Sequence, residues 1–217
     1  MKSEWIEIKP SEIEERSFEI IASELARPLD PELAPIIMRV IHTSADFDYA
    51  DNLVFTHEAI TKGKKAIRDG AVIITDTNMV KAGINKRLLA ELGGEALCFI
   101  ADPDVSAAAK EKGTTRAVAS IEKALTLDRK LIFAIGNAPT ALIRLAEAIE
   151  NGEIDPQLVI AVPVGFVNVE YSKEKILATD APAIVARGRK GGSNIAAAIV
   201  NALLYECTTK REFYPGS

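Results

Sequence analysis

From about residue 70 onward, short apolar runs alternate with segments whose apolar positions recur at helical spacing. The runs are Ala71-Val72-Ile73-Ile74, Ala96-Leu97-Cys98-Phe99-Ile100, Leu131-Ile132-Phe133-Ala134-Ile135, Leu158-Val159-Ile160-Ala161-Val162 and Ala183-Ile184-Val185-Ala186. None alternates with polar residues, the pattern expected of strands covered on both faces. Between them, Val105 to Leu127, broken at Gly113, and Pro139 to Glu150 carry helical periodicity. This alternation predicts a three-layer α/β/α fold with an open, mostly parallel five-stranded sheet. Its crossovers would be right-handed and its ligands would bind outside the carboxyl ends of the strands. The first 70 residues read as helical instead, over Glu12 to Leu25, Glu32 to Ile41 and His57 to Ile67. No linker or repeat divides the chain, so its 217 residues are read as one domain.

The last apolar run opens into a basic loop with three glycines, Arg187-Gly188-Arg189-Lys190-Gly191-Gly192-Ser193, which leads into an almost wholly apolar helix. A helix of that composition must be buried, so the loop is held at its N-terminus, where free N–H groups and the helix dipole favour an anion. Arg187, Arg189 and Lys190 add full charges, and arginine grips carboxylates with two parallel hydrogen bonds. Gly191 and Ser193 belong to the same candidate anion site.

The other run ends are rich in Gly, Pro, Asn, Asp and Thr, the residues that turn chains and cap helices. They read Thr75-Asp76-Thr77-Asn78, Ala101-Asp102-Pro103-Asp104, Gly136-Asn137-Ala138-Pro139-Thr140 and Pro163-Val164-Gly165-Phe166-Val167-Asn168. At the third, Gly136 permits close backbone approach and Asn137 or Thr140 can cap a helix. An anion in that nest and a purely structural cap are equally compatible with the residues.

Composition narrows the function. Hydrophobic residues make up 48% and charged residues 26%, with a net charge of −5, so no overall field draws the chain to nucleic acid or an anionic membrane. The N-terminus has no signal-peptide pattern and no apolar run reaches the length of a membrane span. Cys98 and Cys207 lie far apart in apolar segments and are read as buried free thiols, which points to a reducing cytoplasm. HExxH, CxxC and paired histidines are absent, so no metal site is expected, and the first strand is not followed by a dinucleotide-binding glycine loop. Of the two histidines, His57 reads as a surface residue at a helix start. His42, just beyond an apolar helix, is the better candidate for proton transfer near neutral pH, with Asp46 placed to orient it or raise its pKa.

Five segments together are similar to the precorrin-8X (cobalt-precorrin-8) methylmutase family of cobalamin biosynthesis. They are IHTSADFDYA (41–50), TDTNMVKAGI (75–84), AIGNAPTAL (134–142), PVGFVNV (163–169) and GRKGGSNIAAAIVNALL (188–204), and the likeness runs from about residue 10 to residue 206. It implies an isomerase that moves a methyl group from C-11 to C-12 of a tetrapyrrole by a 1,5-sigmatropic shift assisted by protonation, without a cofactor. It further implies that His42 is the acid, that Ser17, Thr75 and Arg116 contact the ligand, and that the protein is a homodimer with its sites near the subunit interface. One departure lies at Glu170-Tyr171-Ser172-Lys173, where the family places glutamate directly before the Ser-Lys pair. Read from the residues alone, a non-catalytic corrin carrier would need the same anion sites, and an S-adenosylmethionine-dependent methyltransferase would suit the sheet type. The missing glycine loop counts against the latter.

Overall fold

The computed structural model describes residues 8–208. After a 3-10 turn at Pro10–Glu12, the elements follow as α1 (Ile13–Glu24), α2 (Ala34–Ser44), the single turn α3 (Tyr49–Asn52), β1 (Leu53–Thr56), α4 (Ala59–Arg68), β2 (Val72–Thr75), α5 (Asn78–Gly83), α6 (Lys86–Glu91) and β3 (Glu95–Leu97). The second half comprises α7 (Pro103–Glu111), α8 (Arg116–Leu125), β4 (Leu131–Ile135), α9 (Pro139–Glu150), β5 (Leu158–Ala161), α10 (Val169–Leu177), β6 (Ala183–Ala186) and α11 (Ser193–Glu206).

The fold is the expected three-layer α/β/α, but the sheet has six strands rather than five, in the order β1-β6-β5-β4-β2-β3. The added strand, β1, runs antiparallel to β6 with Leu53 opposite Ala186 and Thr56 opposite Ala183. Its four residues are only partly buried beyond Leu53, so no long apolar run announces it within the N-terminal helical region. At the opposite edge, β3 covers Glu95–Leu97, and the apolar run that predicts it leaves the strand at Cys98.

The four inner strands are buried at every position, which explains their unbroken apolar runs. Their side chains divide between two cores. In β4, Ile132 and Ala134 face the layer containing α1, α2, α4 and α11, whereas Leu131, Phe133 and Ile135 face that of α8, α9 and α10. Helix α11 has Ile195 to Val200 and Ala202 to Leu204 at no more than 5% exposure, so the loop before it is anchored as its composition predicts. Helix α2 extends to Ser44, placing His42 inside its last turn rather than beyond it. Cys98 and Cys207 are unpaired but half-buried, not fully enclosed.

Chain direction across the sheet reverses between β2 and β4: β3 lies outside β2, and the chain then returns to build β4, β5 and β6 outward on the other side. Such a reversal splays the following connections apart and opens a crevice at the strand ends. Among the described residues no helix is long and apolar enough to cross a membrane.

Candidate functional site

At the reversal, Asp76 immediately follows β2 and is 3% exposed. Its carboxylate accepts the backbone N–H of Gly136 at 3.0 Å, of Asn137 at 2.8 Å and of Ala138 at 2.7 Å. The nest read from sequence as a possible ligand anion site therefore already holds an anion, supplied by the protein. Neither Asn137 nor Thr140 caps α9; the entry of that helix is satisfied from another strand. Burial pushes the Asp76 carboxyl up, and the three amide donors act in the opposite direction.

The exits of β2, β4 and β6 converge around this clasp. Thr77 Oγ1 and Ser193 Oγ are 3.0 Å apart, and Thr77 also caps α5 by accepting from the Val80 N–H. Gly136 lies flat against the start of α11: a Cβ there would sit 2.7 Å from Ser193 Cα. Thr75 is buried, its hydroxyl donating towards the carbonyls of Thr77 and Leu97. Arg116 is the first residue of α8, and the N-cap before it, Thr115, lies 3.1 Å from Thr140 at the start of α9. Arg116 is exposed and forms no ion pair among the described residues, although a cation opposes the dipole at a helix N-terminus. An unpaired arginine in that position adds nothing to helix stability and leaves its charge open to an anion.

Of the basic loop, Gly191 docks on the end of β5. Its φ is 157°, and a Cβ would lie 2.1 Å from the Val162 carbonyl oxygen, while the next N–H, of Gly192, donates to that same oxygen at 2.8 Å. Because the obstruction is backbone, it cannot yield cheaply. Gly191→Ala is expected to cost on the order of 2–4 kcal/mol of stability and to displace the loop, as a shift of the urea unfolding midpoint would register.

Ser17 and His42 stand on the helical layer, apart from the strand ends. Ser17 Oγ donates to the Ile13 carbonyl within α1. The exposed His42 imidazole packs against the fully buried Phe18 ring, with centroids 5.4 Å apart and planes tilted by 55°. Asp46 does not pair with His42. It binds Lys190 at 2.7 Å, and Asp48 binds the same ammonium at 2.5 Å. The Lys190 hydrogen bond holds the Asp46 carboxyl below the ordinary carboxylate range, against the upward push of burial. Those two ion pairs tie the segment after His42 to the basic loop and bring the helical and strand-end parts of the site to one side of the molecule. His57 is exposed at a left-handed turn before α4, as a surface residue should be.

Two residues that matter here are given no role by residue type or spacing, although the family pattern includes the Ser172-Lys173 pair. Asp76 looks like any turn residue after a strand. Lys173 is fully buried on α10, and its Nζ donates to the carbonyls of Gly188 and Lys190. The departure from the family pattern, Tyr171, points to solvent at 57% exposure, while the neighbouring Ser172 and Lys173 are both fully buried. The substitution therefore falls on the outer face and leaves the inner pair in place. Among the described residues no cluster of His, Cys, Asp or Glu is arranged to hold a metal ion.

The precorrin-8X methylmutase family model matches residues 12–206. Cobalt-precorrin-8 methylmutase of Salmonella typhimurium is 47% identical over 205 residues, covering 91% of this chain and 95% of that protein. The enzyme of the same name from Priestia megaterium is 46% identical, covering 90% of this chain and 88% of its own length. The crystal structure of precorrin-8X methylmutase from Thermus thermophilus superimposes with a TM-score of 0.83 at 38% identity, over 90% of this chain and 97% of that one. With the motifs, the sheet and nearly the whole length in agreement, the chain belongs to the precorrin-8X methylmutase family, isomerases of cobalamin biosynthesis.

Proposed function

We propose that this protein moves the methyl group on C-11 of precorrin-8, or of its cobalt-bearing counterpart, to C-12, giving hydrogenobyrinic or cobyrinic acid. His42 lends a proton to the macrocycle, the C-11–CH3 bond breaks as the C-12–CH3 bond forms on the same face, and the proton returns. Substrate and product are therefore isomers, and no cofactor is required. The observation that carries this reading is the Lys190 bridge to Asp46 and Asp48, which brings the end of the His42 helix to the loop of the last strand. A tetrapyrrole ringed by acetate and propionate groups needs anion contacts at several points with apolar surface between them. Ser17, Thr75, Arg116, Asn137, Arg187, Arg189, Lys190, Gly191 and Ser193 are its contacts, with Gly136 shaping the wall. The Gly136 and Asn137 amides are engaged by Asp76, so Asn137 contributes through its side chain.

Protonation by one group accounts for about 10²–10⁴ in rate, and holding the ring in place supplies the remainder. The protein acts as a homodimer in the cytoplasm, its sites close to the interface. The exposed apolar stretch Val164, Phe166 and Val167, with Phe166 83% exposed, supports a contact on that side. Incubation with metal-free and cobalt-bearing substrate in separate reactions, followed by absorption of the chromophore, tests the assignment. Isomerisation of at least one is expected, and conversion of neither would refute it.

A further inference from the structure

The basic side chains of the 187–191 loop are each already paired with carboxylates of the protein. Arg187 pairs with Glu174 at 3.2 Å, Arg189 with Glu170 at 3.7 Å, and Lys190 with Asp46 and Asp48. These cations are matched or outnumbered by their carboxylates, so the loop surface presents no net positive charge. The cation without a carboxylate lies underneath. Lys173 Nζ donates to the Gly188 carbonyl at 2.7 Å and the Lys190 carbonyl at 2.8 Å, and among the described residues it forms no ion pair. A buried ammonium held only by carbonyls is a costly way to support a loop that an apolar side chain would support more cheaply.

Peptide planarity turns that contact into ligand geometry. In a trans peptide the C=O and N–H point in opposite directions, and this chain has no cis peptide among its described residues. With the 188 and 190 carbonyls turned inward to Lys173, the N–H groups of Arg189 and Gly191 point outward. Neither has a hydrogen-bond acceptor among the described residues. Gly188 at φ 74° and Gly191 at φ 157° supply the backbone freedom this alternation needs. We propose that Lys173 is a positioning residue for substrate binding: its buried ammonium folds the loop so that the Arg189 and Gly191 amides grip one substrate carboxylate, and places a positive charge behind them. The inference rests on the polycarboxylate substrate proposed above.

The charge has a working range. Burial pushes Lys173 down to about 8, with Glu170 on the same helix acting the other way. The remaining charged groups around it are engaged elsewhere: Arg187 with Glu174, Arg189 with Glu170, Lys190 with Asp46 and Asp48, and Glu150 of α9 with Lys175. The strands β5 and β6 contribute only apolar side chains. Between about 8 and a free lysine's 10.5, the unfolded chain keeps a proton that the folded chain has released. Stability therefore rises with pH through this window, whereas the grip on an anion weakens. A merely structural lysine would show the first trend without the second.

The test compares wild-type enzyme with Lys173→Met, which fills the same space without charge, from pH 7 to 9.5. Expected are a KM raised about tenfold at pH 7 with kcat within about threefold, the scale of one charge-assisted contact. The wild-type KM is expected to climb above pH 8 and that of Lys173→Met to stay flat. An unchanged KM in a folded Lys173→Met enzyme overturns the proposal. If that variant does not fold, the wild-type profile decides alone, and a KM independent of pH overturns it. Absence of turnover by wild type would instead count against the proposed function. Amide NMR of the Arg189 and Gly191 signals under titration with tricarballylate then decides Lys173 separately. Shifts that begin to disappear above pH 8 support it, and their absence at pH 7 overturns it.

Discussion

Replacing His42 with alanine is expected to lower kcat by about 10²–10⁴ while leaving binding of the tetrapyrrole and the stability of the protein nearly unchanged. The separation follows from where the imidazole sits. It is exposed in the last turn of α2, touches the Phe18 ring on one side, and carries none of the ion pairs that join this helix to the basic loop. Alanine is a good helix former, and an exposed substitution of this kind normally shifts stability by no more than about 0.5 kcal/mol. The ring of Phe18 is fully buried and stays in place, so the surface around position 42 keeps its shape. Single-turnover conversion followed by absorption, beside product binding by fluorescence quenching, separates the two effects. Wild-type-like turnover by His42→Ala would remove this residue from the mechanism.

Asp76→Ala is expected to be among the most destabilising single changes in the chain, at about 3 kcal/mol or more. Its carboxylate accepts the Gly136, Asn137 and Ala138 amides, and each donor left without a partner away from water costs about 1–3 kcal/mol. Asp76→Asn keeps one carbonyl oxygen but turns an NH2 group towards amide donors, so an intermediate loss is expected. The clasp also joins the exits of β2 and β4, against which Gly136 and Ser193 pack, so both variants should lose activity at temperatures where they remain folded. Urea unfolding of the pair against wild type measures the order. A cost below about 1 kcal/mol for Asp76→Ala would mean that the three amides find other acceptors.

The four inner strands, the helices on both faces and the buried terminal helix were legible because each is an apolar pattern with one physical solution. A run such as Leu131 to Ile135 with no polar alternation has to be covered on both sides, and α11 has to be enclosed. The antiparallel edge strand Leu53–Thr56 was not legible. It is short, half-exposed and defined by pairing with Ala183–Ala186, residues well over a hundred positions away in the chain. The candidate site divided in the same way. Residue type and motif put forward His42 and the glycine loop, and the family resemblance put forward Arg116, but their neighbours in space were not legible. Asp46 lies four residues after His42 and was assigned to it, yet it pairs with Lys190, because a helix end and a distant loop meet there in space.

By itself the sequence determined the class of fold and the family, since these depend on local periodicity, glycine placement and short motifs. The tertiary structure decided which charges remain available. It engaged the loop's surface cations with acids from α10 and from the segment after α2, filled the β4 nest with Asp76, and left an ammonium, that of Lys173, buried under the loop backbone. Charge at a site is a sum over neighbours in space, and a linear chain gives the identity of each charge without its neighbours.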